Sequence, residues 1–128
     1  MRIVRTNDAW RVLGPGREWG CSLEVMTYRS GYRISELCVE LDCSERYLNQ
    51  VFKRDIGLPP KVWMRGERMV VAKQMLVEGR LAHEVGESLG FATMDSFRRE
   101  FLGFFRVRPL DFRVRVMGGV LGSGGGSS

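Results

Sequence analysis

The apolar residues of this chain occur twice in the same order. Leu37, Cys38 and Leu41 recur as Val85, Gly86 and Leu89, an offset of 48. Leu48, Phe52, Pro60 and Trp63 recur as Phe97, Phe101, Pro109 and Phe112, an offset of 49. The step falls at a turn, where Cys43-Ser44 becomes Phe91-Ala92-Thr93, so one inserted residue accounts for it. Two copies are too few for a solenoid, which needs about three repeats or more to bury a continuous core. The chain is therefore read as two tandem modules.

Each copy has the same local grammar. A short amphipathic helix (34–41, then 81–89) carries apolar residues at helical spacing. A turn follows, then a hydroxyl residue suited to capping, Ser44 or Thr93. A second helix (45–55, then 94–104) has the apolar stripe Leu48, Val51 and Phe52, or Phe97 and Phe101. Gly57 is placed to end the first of these, and Pro59-Pro60 to open the next helix. Helix, tight turn and capped helix is the helix-turn-helix plan. A longer helix, 60–78, joins the copies through Trp63, Met69, Ala72, Met75 and Leu76. An N-terminal helix around 17–28 (Trp19, Leu23, Met26) covers the first module, after an arm before Gly14-Pro15-Gly16 with no assigned structure. The expected fold is all-α, with homeodomain-like bundles. Its divisions are an arm at 1–16, a first module at 17–59, a linker helix at 60–78, a second module at 79–116 and a flexible Gly/Ser tail at 117–128.

Charge adds a direction. The total of +5 and the pI near 9.6 favour an anionic partner only weakly. The distribution says more. Residues 34–42 are net −3 and 44–68 are net +3, then 81–90 are net −2 and 91–115 are net +3. Each module thus has an acidic half and a basic half. No apolar run approaches the roughly 18–20 residues of a membrane helix, and with no continuous apolar core behind the N-terminal charges a secretory signal is not expected. Three cysteines form no compact disulfide pattern, which fits a reducing cytosol.

These residues resemble the DNA-binding domain of AraC/XylS-type transcription regulators, over about residues 17–115. The first module of that family is similar to ISELCVELDCSERYLNQVFKRDIGLPPKVW (34–63). The linker-helix pattern is present from Arg68-Met69 through Ala72 to Leu76. The second module resembles GESLGFATMDSFRREF (86–101), followed by Pro109 and Phe112-Arg113. Three departures stand out. Arg106 replaces the glycine usual after the second recognition helix, Arg108 replaces a small residue, and Gly86 stands where alanine is common. The resemblance implies a bacterial, cytoplasmic regulator that binds double-stranded DNA and acts on RNA polymerase at a promoter. It also implies a sensor domain, for which residues 1–16 leave no room, so a stand-alone regulator or a fragment is expected.

The repeat assigns the exposed face independently of the family. With Leu48, Val51 and Phe52 inward, Glu45, Arg46, Asn49, Gln50 and Lys53 face outward. The matching positions are Met94, Asp95, Arg98, Arg99 and Leu102. Arginine pairs bidentately with guanine, and asparagine or glutamine with adenine. Arg46, Asn49 and Gln50 are the candidate base readers of the first module, Arg98 and Arg99 those of the second. Ser44, Tyr47, Lys53, Arg54, Thr93 and Asp95 are candidate backbone or positioning contacts, with Arg65 adding charge. Taken singly, each basic residue is equally well a solvated surface residue. Two matched faces are not so easily dismissed. A monomer on an asymmetric site is expected. The rival is a protein-interaction module that contacts RNA polymerase or another regulator.

Other features read as structural. Cys21, Cys38 and Cys43 could make a soft-metal site, but their spacing is not a usual zinc pattern. Cys38 matches the packed position of Gly86, and Cys43 matches Phe91, so both are read as core. No metal or cofactor is expected. His83 is the sole histidine, on an acidic helix, with no partner for acid-base chemistry and no Gly-rich phosphate loop nearby. It is read as surface, and no enzyme is expected.

Overall fold

The computed structural model describes residues 1–124, without the side chains of residues 18, 19 and 117–124. Three strands precede seven helices among the described residues. The strands are β1 (Arg2–Thr6), β2 (Ala9–Gly14) and β3 (Arg17–Ser22). The helices are α1 (Leu23–Arg29), α2 (Ile34–Leu41), α3 (Glu45–Asp55), α4 (Pro60–Val77), α5 (Ala82–Ser88), α6 (Met94–Phe105) and α7 (Pro109–Gly124). The chain divides into two compact units, Met1–Arg68 and Met69–Ser128. α4 contributes its first half to one and its second half to the other.

The all-α expectation is corrected at the N-terminus. The arm is two strands of an antiparallel meander in the order β1-β2-β3. Two tight turns make it. Asn7-Asp8 joins β1 to β2, with Asn7 at φ 55, and Pro15-Gly16 joins β2 to β3, with Gly16 at φ 77. Proline followed by a left-handed glycine is the chemistry of a type II turn. Ile3 lies opposite Val12, and Val12 opposite Cys21. That stripe closes the first unit's core, with Ile3 and Val12 buried. The helix expected over 17–28 is shorter. It starts only after Ser22, whose hydroxyl accepts from Val25 N at 3.2 Å. Gly20 at φ +81 stands outside the right-handed helical region and so interrupts any helix through 17–22. Leu23 and Met26 are buried as expected, while the Trp19 side chain lies outside the described residues. The tail is also corrected in part. α7 carries the backbone in helical form through Gly124, and 125–128 lie outside the described residues. Glycine weakens a helix by about 1 kcal/mol each relative to alanine without forbidding it.

The two modules repeat down to single hydrogen bonds. α2 ends with Asp42 N–H donating to Val39 O (3.2 Å) and Cys43 N–H to Cys38 O (3.1 Å), with Asp42 at φ 53. α5 ends with Gly90 N–H donating to Glu87 O and Phe91 N–H to Gly86 O, both 3.1 Å, with Gly90 at φ 80. Both are Schellman turns, which satisfy the last carbonyls of a helix through a left-handed residue. Phe52 meets Trp63 edge-on at 5.9 Å, and their counterparts Phe101 and Phe112 meet at the same 5.9 Å. Pro60 and Pro109 each open a helix, where a missing N–H costs nothing. In the first unit Leu37, Leu41, Leu48, Val51, Phe52 and Trp63 are buried with the sheet residues. In the second, Met69, Ala72, Leu76, Val85, Leu89, Phe97 and Phe101 are buried.

Candidate nucleic-acid interface

α3 and α6 present the outward faces. Ser44 caps α3 by accepting from Tyr47 N (3.1 Å), and Thr93 caps α6 by accepting from Ser96 N (3.1 Å). The caps fix where each helix begins, and the buried stripes Leu48–Val51–Phe52 and Phe97–Phe101 fix its rotation. Arg46, Asn49, Gln50 and Lys53 are exposed together on α3. Arg98 and Arg99 are exposed on α6, beside Leu102 in the place of Lys53. The structure therefore brings each candidate base-reading set onto one helical face. Each lies near a helix N-terminus, where backbone N–H groups favour phosphate.

Several of these side chains already have partners. Arg98 Nη1 bonds Asp95 Oδ1 at 3.0 Å, one helical turn back. Asp95 thus steers Arg98 instead of facing an anion, which it would repel. Arg54 grips Asp55 through Nε and Nη2 (2.8 Å each), and Nη2 also donates to Met1 O at 2.7 Å. That guanidinium is turned toward β1. The hydrogen bonds from Arg54 and from Ile3 N–H (2.8 Å) hold the Asp55 carboxyl down at about 2. The same pairing raises the Arg54 guanidinium above its ordinary value. Tyr47 is partly exposed at the edge of this face, and its hydroxyl accepts from the Met1 amino group at 3.3 Å. Burial pushes the Cys38 thiol up to about 11, and raises that of the neighbouring Cys43. Both stay neutral S–H groups at the α2 turn, packed in or against the first unit's core.

The sequence reading passed over a cleft in the second unit. His83, Arg98, Arg108 and Arg113 line an open depression of about 560 Å³ with Pro109 and Asp111. His83 is exposed, as expected, but on the rim of a basic cleft. Arg108 pairs with Asp111 at 2.9 Å, and Arg113 donates to Arg80 O (3.1 Å) and Gly79 O (3.2 Å), closing the turn after α4. A cluster of arginines around Pro109 was the available signal.

The family model described as a helix-turn-helix domain matches residues 37–115, both repeats together. The chain belongs to the AraC-type helix-turn-helix family. This is a family of DNA-binding domains of transcription regulators. The AraC-type chain is 27% identical over 90 residues to the Msm operon regulatory protein of Streptococcus mutans, covering 70% of this chain and 32% of that protein. It is 23% identical over 86 residues to the transcriptional regulatory protein HptR of Staphylococcus aureus, covering 67% and 34%. It thus spans about a third of the length of these curated relatives. Among solved structures it resembles the C-terminal domain of the two-component response regulator yesN from Fusobacterium nucleatum. The TM-score is 0.63 at 27% identity, over 71% of this chain and 90% of that one. An AraC-type transcriptional regulator from Chromobacterium violaceum shares the fold, with a TM-score of 0.59 at 18% identity, over 71% and 88%. Among the described residues, no helix is long and apolar enough to cross a membrane.

Proposed function

We propose that this AraC-type domain reads an asymmetric duplex site as a monomer, with α3 and α6 each entering a major groove. The observation that carries this is the matched pair of capped helices, each with its polar face turned outward over a repeated core. Arg46, Asn49 and Gln50 read base edges in the first groove, and Arg98 and Arg99 in the second. Ser44, Thr93, Lys53 and the cleft lined by His83, Arg108 and Arg113 hold phosphates on either side. Successive grooves on one face place the two contacted elements about 10 bp apart. If the spacing of the helices does not match straight DNA, the duplex bends or one module lets go. In a bacterial cytoplasm such binding would recruit or hinder RNA polymerase.

Selection from random duplexes tests the reading. The wild type is expected to enrich two short elements. Arg46→Ala and Asn49→Ala are each expected to cost about 1–3 kcal/mol on the selected site and relax preference at one position. Equal losses on every sequence would remove these residues from base reading. One observation favours a protein partner in addition. Leu102, Phe104, Leu110 and Val114 leave apolar surface exposed on α6 and α7. A docking module would show little salt dependence on duplex DNA, whereas DNA binding follows log salt with a slope of about −0.9 per phosphate neutralised.

A further inference from the structure

The N-terminal meander is the feature that the helix-turn-helix reading leaves without a task. Residues 1–17 carry Arg2, Arg5, Arg11 and Arg17 against Asp8, net +3 from four bases and one acid. Arg2, Arg5 and Arg11 are exposed, and among the described residues none of the three sits in an ion pair. Arg5 lies over the Trp10 ring at 5.4 Å, and Arg11 Nη1 donates to Gly20 O at 3.2 Å. Arg5 thus lies against a β2 ring and Arg11 against β3, each with donors to spare. Arg2 and Arg11 share a face, because Val4, two residues from Arg2 on β1, pairs with Arg11, whereas Arg5 shares the opposite face with the buried Ile3.

The meander is tied to the recognition helix. β1 is an edge strand, and its free edge is taken up by the C-terminal end of α3. Ile3 N–H donates to Asp55 and Arg54 donates to Met1 O. Arg2 is close enough for its charge to act on Asp55. A recognition helix reads bases near its N-terminus, while its C-terminal end lies by the sugar-phosphate backbone. An element anchored at that end is therefore carried to the backbone whenever α3 is seated. The five residues of β1 span about 13 Å, four steps of roughly 3.3 Å. That exceeds the roughly 6 Å width of the minor groove that follows.

We propose that the β1–β2 hairpin is a DNA-contacting wing. Arg2 and Arg11 bind the phosphates that flank the first module's major groove, and Asp55 is the positioning residue that fixes the hairpin to α3. This rests on the reading of α3 as a recognition helix. The wing adds affinity and little sequence preference, because its donors meet phosphates.

The test is a salt titration of the whole chain against a random-sequence duplex, followed by fluorescence anisotropy. The variants are Arg2→Gln/Arg11→Gln and the matching double lysine variant. Loss of two phosphate contacts is expected to flatten the log K–log salt slope by about 2 and weaken binding about tenfold or more. The lysine variant is expected to recover most of both, since a point charge suffices for a phosphate. On a selected site, hydroxyl-radical protection is expected to retract on the side of the first module only. Wild-type slope and affinity in the glutamine variant would overturn the wing and leave the recognition helices standing. Absence of salt-dependent binding by the wild type would overturn both. If the double glutamine variant melts early, Arg2→Gln and Arg11→Gln taken singly carry the same comparison, each with an expected slope change of about 1.

Discussion

Arg106 ends α6 in the left-handed region at φ 62, where its counterpart Gly57 stands at φ 90. A side chain at such an angle crowds the following carbonyl, at a cost of roughly 1–2 kcal/mol that glycine avoids. Arg106→Gly is therefore expected to raise stability by about 0.5–1 kcal/mol, after the extra chain entropy of glycine is subtracted. Urea unfolding would check it, and an unchanged midpoint would show that the turn relaxes around the arginine. Asp55 makes the opposite kind of contribution. Its carboxyl titrates at about 2 in the fold, against an ordinary 3.8, chiefly because of the Arg54 hydrogen bond. A carboxylate with a depressed folded value stabilises above its unfolded value and loses that stability as pH falls from about 4 toward 2. Asp55→Asn is expected to lower the melting temperature at neutral pH and to converge on the wild type at the acid end. Parallel curves at all pH values would show that the charge is not what matters. Sequence reading placed Arg54 along the DNA backbone. It could not see Met1 O drawing that guanidinium toward β1, because the contact joins residues over fifty positions apart.

The helices follow local rules closely, and their glycines show where packing overrides them. Gly86 and Gly103 both sit inside helices, and by propensity alone alanine would be better at each by about 1 kcal/mol. A Cβ on Gly103 meets nothing within 4 Å, but one on Gly86 comes within 3.3 Å of the Phe97 ring. Phe97 is fully buried between Phe91 (5.2 Å) and Phe101 (5.8 Å), so it has little room to give. Gly103→Ala is expected to stabilise by about 0.5–1 kcal/mol, and Gly86→Ala to yield no gain or a loss. Thermal melts of the two variants decide it, and equal gains would mean that the α5–α6 contact is soft. Gly86, which stands where alanine is common in the family, is thus a close-packing residue. α1 shows the reverse failure. Trp19, Leu23 and Met26 suggested one helix at 17–28, but the hydrogen bonds of 17–22 go to β2. The turn signals Asn7-Asp8 and Gly14-Pro15-Gly16 marked a meander, yet five- and six-residue strands offer too few alternating positions to read with assurance.

At the scale of the molecule, the core cluster from Ile3 to Met64 lies wholly within the first unit. The aromatic series Phe91, Phe97, Phe101, Phe105 and Phe112 belongs to the second. Phe101→Ala is expected to cost about 3–5 kcal/mol, because a buried ring leaves a cavity among neighbours that cannot fully close. Amide hydrogen exchange is expected to accelerate at Val85 and Phe97 while Val12, Leu48 and Phe52 stay protected. Uniform acceleration would mean that the chain opens as one unit. The sequence by itself determined the two modules, their helices, their caps and the outward faces of α3 and α6. Those depend on contacts between residues a few positions apart, which leave a period of 3.6 and a punctuation of Ser, Thr, Gly and Pro. Only the tertiary structure decided that the N-terminal arm is a sheet held at the end of α3, that Arg54 faces β1, and that His83 shares a cleft with three arginines. Each of these depends on which distant groups a side chain or a strand edge meets, and a hydrogen bond between remote residues leaves no period in the sequence.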